Sequence, residues 1–377
     1  MIETLISNHE YEQQPNREVE RKFLPLFPEK LDAFKERAQP IEQYYLSHPD
    51  EPYSLRVRQS VKDNELTYTA TLKDVGEVTD EGLDRLEIET EISQETYEFY
   101  RSPEVPVIRK LRAETAHGSM IDWFEDGHIQ AESENPFEWD SFLNRYNLSD
   151  QFVEITGDKQ ANNEWRAQYL YRQQNNGREA LKPERQLSVE QICESILYRN
   201  GQQTVVRVAG RSGSGKSTIV RGVQEHLQEY GITSVVLSTD DYNRGKHFLD
   251  AYNGAPWKNW DDPFVYDTAQ MARDIDQLLH GEAVGKTTFD FSTQEPVIDG
   301  IIEPAPVIII EGIYAKAPEI ARKAHLAYTV QTGLATSAGR RLHRDFSGER
   351  INESLPTPQA TLRHILEKAE PAYRAQQ

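Results

Sequence analysis

Val205-Val-Arg-Val-Ala-Gly210-Arg211-Ser212-Gly213-Ser214-Gly215-Lys216-Ser217-Thr218 decides the reading of the C-terminal half. An apolar, β-branched run enters Gly210-x-x-x-x-Gly215-Lys216-Ser217, and a helical pattern leaves it. That strand, loop and helix order is the context a phosphate loop requires. Gly210, Gly213 and Gly215 lack a Cβ, so backbone N–H groups can converge on phosphate oxygens. A helix starting near Lys216 adds its positive dipole end. Lys216 can reach the outer phosphates as a point charge, and the Ser217 hydroxyl can ligate Mg²⁺. The whole loop from Gly210 through Arg211, Ser212, Ser214 and Thr218 is expected to wrap the nucleotide. A second candidate, Gly281 to Gly285-Lys286-Thr287, is one residue too short and follows a helical stretch instead of a buried strand.

The chain has 377 residues, enough for two or three domains. Its formal net charge of -20 argues against a nucleic-acid backbone as partner, since that needs a basic face. Cys193 is the single cysteine, which excludes a disulfide framework and a cysteine metal cluster. The N-terminus shows no basic region followed by an apolar run, and the apolar run Val307–Ile310 is far too short to span a bilayer. The expected location is cytoplasmic, with small-molecule partners and no membrane. Oligomeric state is left open.

In the first half, charged residues recur at every second position of strand-like segments. Glu18, Glu20 and Lys22 share one face, as do Arg56 and Arg58. Thr67, Thr69, Thr71 and Lys73 share another. Arg85, Glu87 and Glu89 follow, then Lys110 and Arg112, Asp122, and Glu132 with Glu134. A period of two places each set on one side of a sheet. An antiparallel sheet with a solvated polar face accounts for any one strand. The whole set, with acidic and basic strands mixed, suits a barrel with its charges inside. Such a pocket can hold a metal-bound polyphosphate, carboxylates on the metal and Arg and Lys on the phosphate oxygens.

Glu18-x-Glu20-x-Lys22 resembles the ExExK signature of CYTH domains, the triphosphate tunnel metalloenzymes. The resemblance continues through Arg56-x-Arg58, Lys73, Arg85-x-Glu87-x-Glu89, Lys110-x-Arg112, Asp122, Glu132-x-Glu134 and Val153 to Asp158, with Asn162 and Ala167 beyond, covering about the first 170 residues. It implies an eight-stranded antiparallel barrel with flanking helices, and a metal-dependent hydrolysis of triphosphates or cyclisation of ATP. It implies metal ligands at Glu18, Glu20, Glu132 and Glu134, with Glu87, Glu89 and Asp122 as further acidic lumen residues of the Mg²⁺ or Mn²⁺ site. It implies triphosphate contacts at Lys22, Arg56, Arg58, Lys73, Arg85, Lys110 and Arg112. Helices outside the barrel are predicted over 28–38, 93–100, 137–146 and 162–171, with Trp139, Trp165 and Tyr169 as packing residues.

Residues 173–187 are polar, contain Gly and Pro, and read as a linker between domains at 1–172 and 188–377. Ser188 is the expected N-cap of a helix to Tyr198, with Cys193 packed beside its apolar stripe and not catalytic. Beyond the phosphate loop, a short strand from Ser234 ends at Asp240-Asp241, and Val307–Ile310 ends at Glu311. In parallel α/β sheets active residues gather at the carboxyl ends of strands. Asp240 is therefore placed as base or metal ligand, with helix capping as the alternative. Arg340, Arg341, Arg344 and Arg350 form a basic cluster suited to a lid over transferring phosphate.

These stretches resemble the uridine kinase and phosphoribulokinase group of P-loop kinases. The matching pieces are the phosphate loop, Ser238-Thr-Asp240-Asp-Tyr242, Asn259 to Pro263, Phe289-Asp-Phe291, Ile310 to Ala315 and Arg340-Arg-x-x-Arg344-Asp345. The resemblance implies an α/β fold with a parallel sheet and transfer of phosphate from Mg-ATP to a hydroxyl. It implies Asp240 as the base, Lys216 and Arg344 in catalysis, and Ser217, Asp240 and Glu311 around Mg²⁺. Asp261, Phe289, Arg340 and Arg341 would meet the acceptor. Three departures stand out: Phe289 where nucleoside kinases have Tyr, Gln294 where a base-contacting His is usual, and the stretch Glu370-Pro-Ala-Tyr-Arg-Ala-Gln-Gln377 where the family continues past the lid helices into a final strand. The expectation is a kinase fused to a triphosphate-hydrolysing domain. The alternative gives turnover to the barrel alone, with the P-loop half binding nucleotide as a regulatory module.

Overall fold

The computed structural model describes residues 16–116, 118–182, 187–346 and 355–376; Arg350 and part of the expected linker lie outside the described residues. The chain forms two compact units. One is built from residues up to Tyr45, Ser54–Glu89 and Tyr100–Ala180; the other from Leu46–Tyr53, Thr90–Phe99 and the chain from Leu181 onward.

The first unit is a closed barrel. Its strands are β1 (Arg17–Pro25), β2 (Gln39–Tyr45), β3 (Tyr53–Lys62), β4 (Glu65–Asp74), β6 (Leu83–Glu91), β7 (Val107–Ala116), β8 (Ser119–Phe124) and β9 (Ile129–Ser133). They run in the order β1-β9-β8-β7-β2-β3-β4-β6, and β6 pairs antiparallel back onto β1, so the ring of eight has no free edge. The short strands β5 (Glu77–Val78) and β10 (Phe152–Glu154) extend β6 and β1. Asp63 and Asn64 both have positive φ, the two-residue turn whose twist lets β3 fold directly back as β4.

Alternation explains both faces of this sheet. Leu55, Val57, Ile121 and Trp123 are buried on one side, and the charged set occupies the other. Phe23, Phe34, Trp123 and Ile121 pack with Trp139 and Phe142 of the helix Pro136–Arg145, the ring of Trp139 stacked on Phe23 at 4.5 Å. Asn135 caps that helix by accepting from the N–H groups of Phe137 and Glu138. The helix expected over 28–38 is only a 3₁₀ turn, Pro28–Leu31, running into one α turn, Asp32–Lys35. Helices Gln94–Tyr100 and Asn163–Gln174 stand close to expectation. Tyr169 does not pack: it is 57% exposed.

The second unit centres on a four-stranded parallel sheet in the order β12 (Ser234–Ser238), β15 (Val307–Gly312), β11 (Thr204–Gly210), β16 (Leu326–Val330). Apolar residues cover both faces, as a buried parallel sheet requires. Helices Val189–Tyr198 and Lys216–Glu229 pack Ile192, Cys193, Val220 and Leu227 on one side, and helix Thr268–Leu279 packs Met271, Ile275 and Leu278 on the other. Ser188 and Gln191 form a full capping box at the first of these helices. Cys193 is buried, and burial pushes its thiol up to about 11.

A separate hairpin joins β13 (Val284–Asp290) to β14 (Glu295–Ile302). After β16, no further strand joins the sheet among the described residues; the chain continues as helices Leu334–Phe346 and Pro358–His364, a π turn at Ile365–Ala369, and Glu370–Arg374. Two early stretches of chain complete this unit. Glu51 is buried and accepts from the N–H and hydroxyl of Thr336 (3.3 and 2.7 Å), capping the first turn of helix Leu334–Phe346. Arg363 donates to the Glu91 carbonyl at 2.6 Å, and the Ser93 N–H donates to Glu367.

Two candidate active sites

The barrel interior is filled by the residues that period-two reading selected. Glu18, Glu20, Lys22, Lys73, Arg85, Lys110, Asp122 and Glu132 are all buried, so the solvated-face alternative is excluded. Strand register puts opposite charges face to face: Glu18 opposite Arg85, Lys22 opposite Glu132 and Arg112 opposite Asp122.

The acidic set divides in two. Asp122 is fully buried and spent on cations, accepting from Lys110 at 2.5 Å and from Arg112 at 2.7 and 2.6 Å. Arg112 also donates to Glu132 at 2.5 Å. Burial alone would raise Glu132, but Arg112 and Lys110 hold it well below the usual carboxylate range. Burial and then Arg112 push Lys110 down to about 8, and burial and then Arg56 push Arg58 down to about 10. These cations are crowded together at the expense of their own charge, a state that a bound polyanion relieves.

The other group gathers five carboxylates, Glu18, Glu20, Glu87, Glu89 and Glu134, among as many cations. Glu18 accepts from Lys73 and from Arg85 Nε (3.1 Å), and Glu20 from Arg85 and from Lys22 at 3.1 Å. Lys73 lies 3.3 Å from Glu87, and Arg58 lies 3.8 Å from Glu89. Arg56 Nε donates to Thr71, whose hydroxyl donates to Glu89. Burial raises Glu87 and Glu89, yet Lys73 and Arg58 respectively, with Arg56, leave both below the ordinary value. Glu134 goes the other way. Burial and then the charges of Glu18, Glu87 and Glu20 push its carboxyl up to about 7. Among the described residues no three acidic, His or Cys side chains already converge as a metal cluster. The corner around Glu134 nevertheless has the donor chemistry of a hard divalent cation: oxygen ligands carrying excess negative charge.

Three further residues assist the lumen. Lys22 Nζ donates to Asn162 at 2.8 Å, Asn163 donates to Glu132 at 3.4 Å, and Thr71 bridges Arg56 to Glu89. Thr71 lay on the recognised face. The two asparagines stand at the start of a helix far along the chain; the family resemblance reaches Asn162, and nothing local marks Asn163.

In the second unit one cavity of about 430 Å³ runs along the carboxyl ends of the sheet. Ser212, Gly213, Gly215, Lys216, Ser217 and Thr218 line one end. Gly210, Arg211 and Ser214 belong to the same loop but are set back from this cavity. Gly213 has φ 78°, and a Cβ there would meet the Ser337 carbonyl at 2.3 Å, so only glycine lets the loop pass. Lys216 Nζ donates to the Arg211 carbonyl at 2.7 Å.

Glu311, at the end of β15, accepts from Ser238 at 2.9 Å and from Ser217 at 3.4 Å. Burial raises its carboxyl, with Asp240 adding and Lys216 opposing. Ser217, Asp240 and Glu311 therefore bring oxygen donors and surplus negative charge together, which fits Mg²⁺. Asp240 does not cap the 3₁₀ turn Thr239–Tyr242; Ser238 does, accepting from the Asp240 N–H. Asp241 is turned aside and accepts from the Phe289 N–H at 3.3 Å.

The far end of the cavity is aromatic, with Trp260, Phe289 and Phe291 beside Gln294 and Asp261. Phe289 meets Phe291 edge-on at 5.1 Å. Arg340, Arg341 and Arg344 reach the cavity from helix Leu334–Phe346. Asp261 is already engaged: Arg341 donates to it at 3.4 and 3.2 Å, and His364 Nε2 lies 2.6 Å from its Oδ2. Burial would raise Asp261, but Arg341 and His364 hold it well below the usual carboxylate range. Arg344 pairs with Asp345 at 3.0 Å. His364 falls outside every quoted motif, and only the fold brings it here.

Comparison with known proteins gives two family matches. The model described as "Phosphoribulokinase / Uridine kinase family" matches residues 205–352, and that described as "CYTH domain" matches residues 16–129. A uridine kinase of Deinococcus deserti is 30% identical over 172 residues, 45% of this chain and 79% of that protein. A protein named inorganic pyrophosphatase TTM2, from Arabidopsis thaliana, is 27% identical over 192 residues, 50% of this chain and 26% of its own length. The match thus spans about a quarter of that relative. The solved structure of a possible uridine kinase from Bacillus stearothermophilus has 16% identity and a TM-score of 0.38, covering 50% of this chain and 89% of that one.

Proposed function

We infer function from a plain premise: through its C-terminal half the chain belongs to the phosphoribulokinase/uridine kinase family, and its N-terminal half is a CYTH domain. The chain is proposed to be an ATP-dependent kinase for a small hydroxylated acceptor of nucleoside type, joined to a triphosphate-hydrolysing barrel. The observation that carries the kinase reading is the single cavity in which Lys216, Ser217, Asp240 and Glu311 face an aromatic chamber.

In that cavity the loop N–H groups and Lys216 bind the donor phosphates. Ser217, Asp240 and Glu311 would hold Mg²⁺, which when bound neutralises phosphate charge. Asp240 orients the acceptor hydroxyl and takes its proton, and Arg340 and Arg344 steady the transferring group. Trp260, Phe289 and Phe291 give a planar acceptor its contact area and exclude water.

In the barrel, Arg56, Arg58, Lys110 and Arg112 bind phosphate oxygens, with Asp122 fixing the orientation of the last two. Glu18, Glu20, Glu87 and Glu134 would hold Mg²⁺ or Mn²⁺, which when bound supplies an activated water. Lys22, Lys73 and Arg85 hold those carboxylates in place.

One observation favours a second reading, in which only the barrel turns over. The Asp261 carboxylate is tied to Arg341 and His364, and the site has Phe289 and Gln294 where nucleoside kinases present a Tyr hydroxyl and a His imidazole. Incubation with Mg-ATP and a panel of nucleosides and sugars, products identified by mass, separates the two. The expected outcome is a monophosphate that disappears in Lys216→Ala. If that variant consumes ATP as the wild type does and no acceptor is phosphorylated, the kinase reading fails. Inorganic triphosphate is then the substrate to try, with Glu18→Ala as its control.

A further inference from the structure

The last described stretch, Pro358–Arg374, lies beyond residues 205–352 matched by the kinase family model. It nevertheless grips the transfer site at both ends. At the donor end, Glu370 is 2% exposed, and its carboxylate accepts from Arg211 Nε at 2.8 Å and from a second Arg211 nitrogen at 3.0 Å. The third arm of the same guanidinium donates to the Thr332 carbonyl at 2.8 Å, and the group lies 4.8 Å from the centre of the Tyr373 ring. Arg374 steadies Glu370 from behind at 2.8 Å.

Arg211 is the residue directly after Gly210 in the phosphate loop, and its carbonyl receives Lys216 Nζ. A forked pair with a buried carboxylate fixes direction as well as distance. Holding Arg211 therefore holds the carbonyl to which the phosphate-binding lysine is tethered. At the acceptor end, His364 sits 2.6 Å from Asp261. An ionised carboxylate only accepts, so Nε2 carries the proton in this contact. A π turn, Ile365–Ala369, separates the two contacts, a wide turn of the kind that re-aims side chains at functional sites.

We propose that Pro358–Arg374 is a positioning element of the kinase site, in which Glu370 sets the phosphate loop through Arg211 and His364 sets the acceptor end through Asp261. The inference rests on the kinase reading for its acceptor arm only; its nucleotide arm needs binding alone. The two arms make opposite claims about which constant changes.

The test uses the full chain and isothermal titration with AMP-PNP and Mg²⁺, followed by initial rates with ATP and uridine. Glu370→Ala weakens AMP-PNP roughly tenfold, because a charged, forked contact to the loop is lost. His364→Ala leaves AMP-PNP affinity unchanged and raises the uridine KM roughly tenfold at an unchanged ATP KM. His364→Gln, whose amide can still donate to Asp261, restores that KM. The exposed Lys368→Ala on the same segment changes neither.

Glu370→Gln keeps one acceptor and loses the charge, so it serves if Glu370→Ala melts early; it falls between wild type and Ala. Unchanged AMP-PNP binding in both Glu370 variants overturns the proposal. Equal weakening in Glu370→Ala and His364→Ala overturns it too, since that marks a general loosening. If the wild type binds AMP-PNP but phosphorylates no nucleoside, the kinase reading falls while the Glu370 titration still decides the loop arm. If the wild type binds no AMP-PNP, both fall.

Discussion

Burial, and then the charges of Glu18, Glu87 and Glu20, push the Glu134 carboxyl up to about 7 from the ordinary 4.5. A carboxyl that binds its proton more tightly when folded supports the fold at low pH. That support is complete below about 4.5 and is lost as pH rises through about 7. The shift corresponds to about 3 kcal/mol at most. In metal-free buffer the melting temperature is therefore expected to fall between pH 5 and 7, and Glu134→Gln should flatten that slope. A slope unchanged in the variant would refute the assignment. Gly213 makes a sharper case. Gly213→Ala forces a positive φ on a residue with a Cβ and drives it into the Ser337 carbonyl. It is expected to cost roughly 1–3 kcal/mol in melting experiments and to abolish nucleotide binding. At this scale the sequence was informative wherever a motif fixes spacing, as from Gly210 to Ser217. It was silent about His364 and Glu370, whose partners stand 103 and 159 residues away.

The strands of the barrel show how far an element can be read without its neighbours. Alternation along β1, β3, β6 and β7 is visible in one dimension, because a closed barrel forces every second side chain inward. Register is not visible. That Arg112 faces Asp122, and that β6 closes on β1, depends on long-range pairing. Register decides which cations each acid meets: Asp122 looked like its fellows until the pairing showed it saturated by Lys110 and Arg112. Removing it takes the carboxylate from buried Lys110 and leaves Arg112 with Glu132 alone, so Asp122→Ala should cost about 3–5 kcal/mol by denaturant melt. The exposed Lys286–Asp299 pair on the β13–β14 hairpin offers the contrast. Asp299→Ala there should melt indistinguishably from the wild type, since an exposed pair is screened by solvent. If the two variants proved equally mild, the burial argument for the lumen pair would be wrong. The helix expected over 28–38 came out short because Pro28 can start a helical turn, while no cap or long apolar stripe sustains one.

Across the whole molecule, both folds were legible: the barrel from its charge pattern and family resemblance, the parallel sheet from two buried strands and a phosphate loop. What could not be read was the recruitment of Leu46–Tyr53 and Thr90–Phe99 into the second compact unit. Those stretches look like ordinary strand connections, and their role rests on contacts made hundreds of residues later. Glu51 caps the arginine-bearing helix from outside, and the Tyr53 ring lies against Gly339, where an added Cβ would meet it at 2.6 Å. Glu51→Ala is expected to lower stability by roughly 0.5–2 kcal/mol, as lost caps do. A polypeptide of residues 181–377 made alone should bind AMP-PNP less tightly than the full chain, because Arg340, Arg341 and Arg344 then ride on an uncapped helix.

Glu51 also sets a timetable. It leaves the ribosome 285 residues before Thr336, the group it must meet. Local turns of the arginine helix can form as soon as they emerge, but this contact waits for nearly the whole chain and for the entropy of closing a very long loop. Such a contact belongs late on the folding route, after the main barrier. Weakening it should leave the refolding rate almost untouched and speed unfolding instead. In stopped-flow measurements on Glu51→Ala, the stability loss would then appear in the unfolding limb. The contact would act as the latch that keeps the finished second unit shut, with no part in building it.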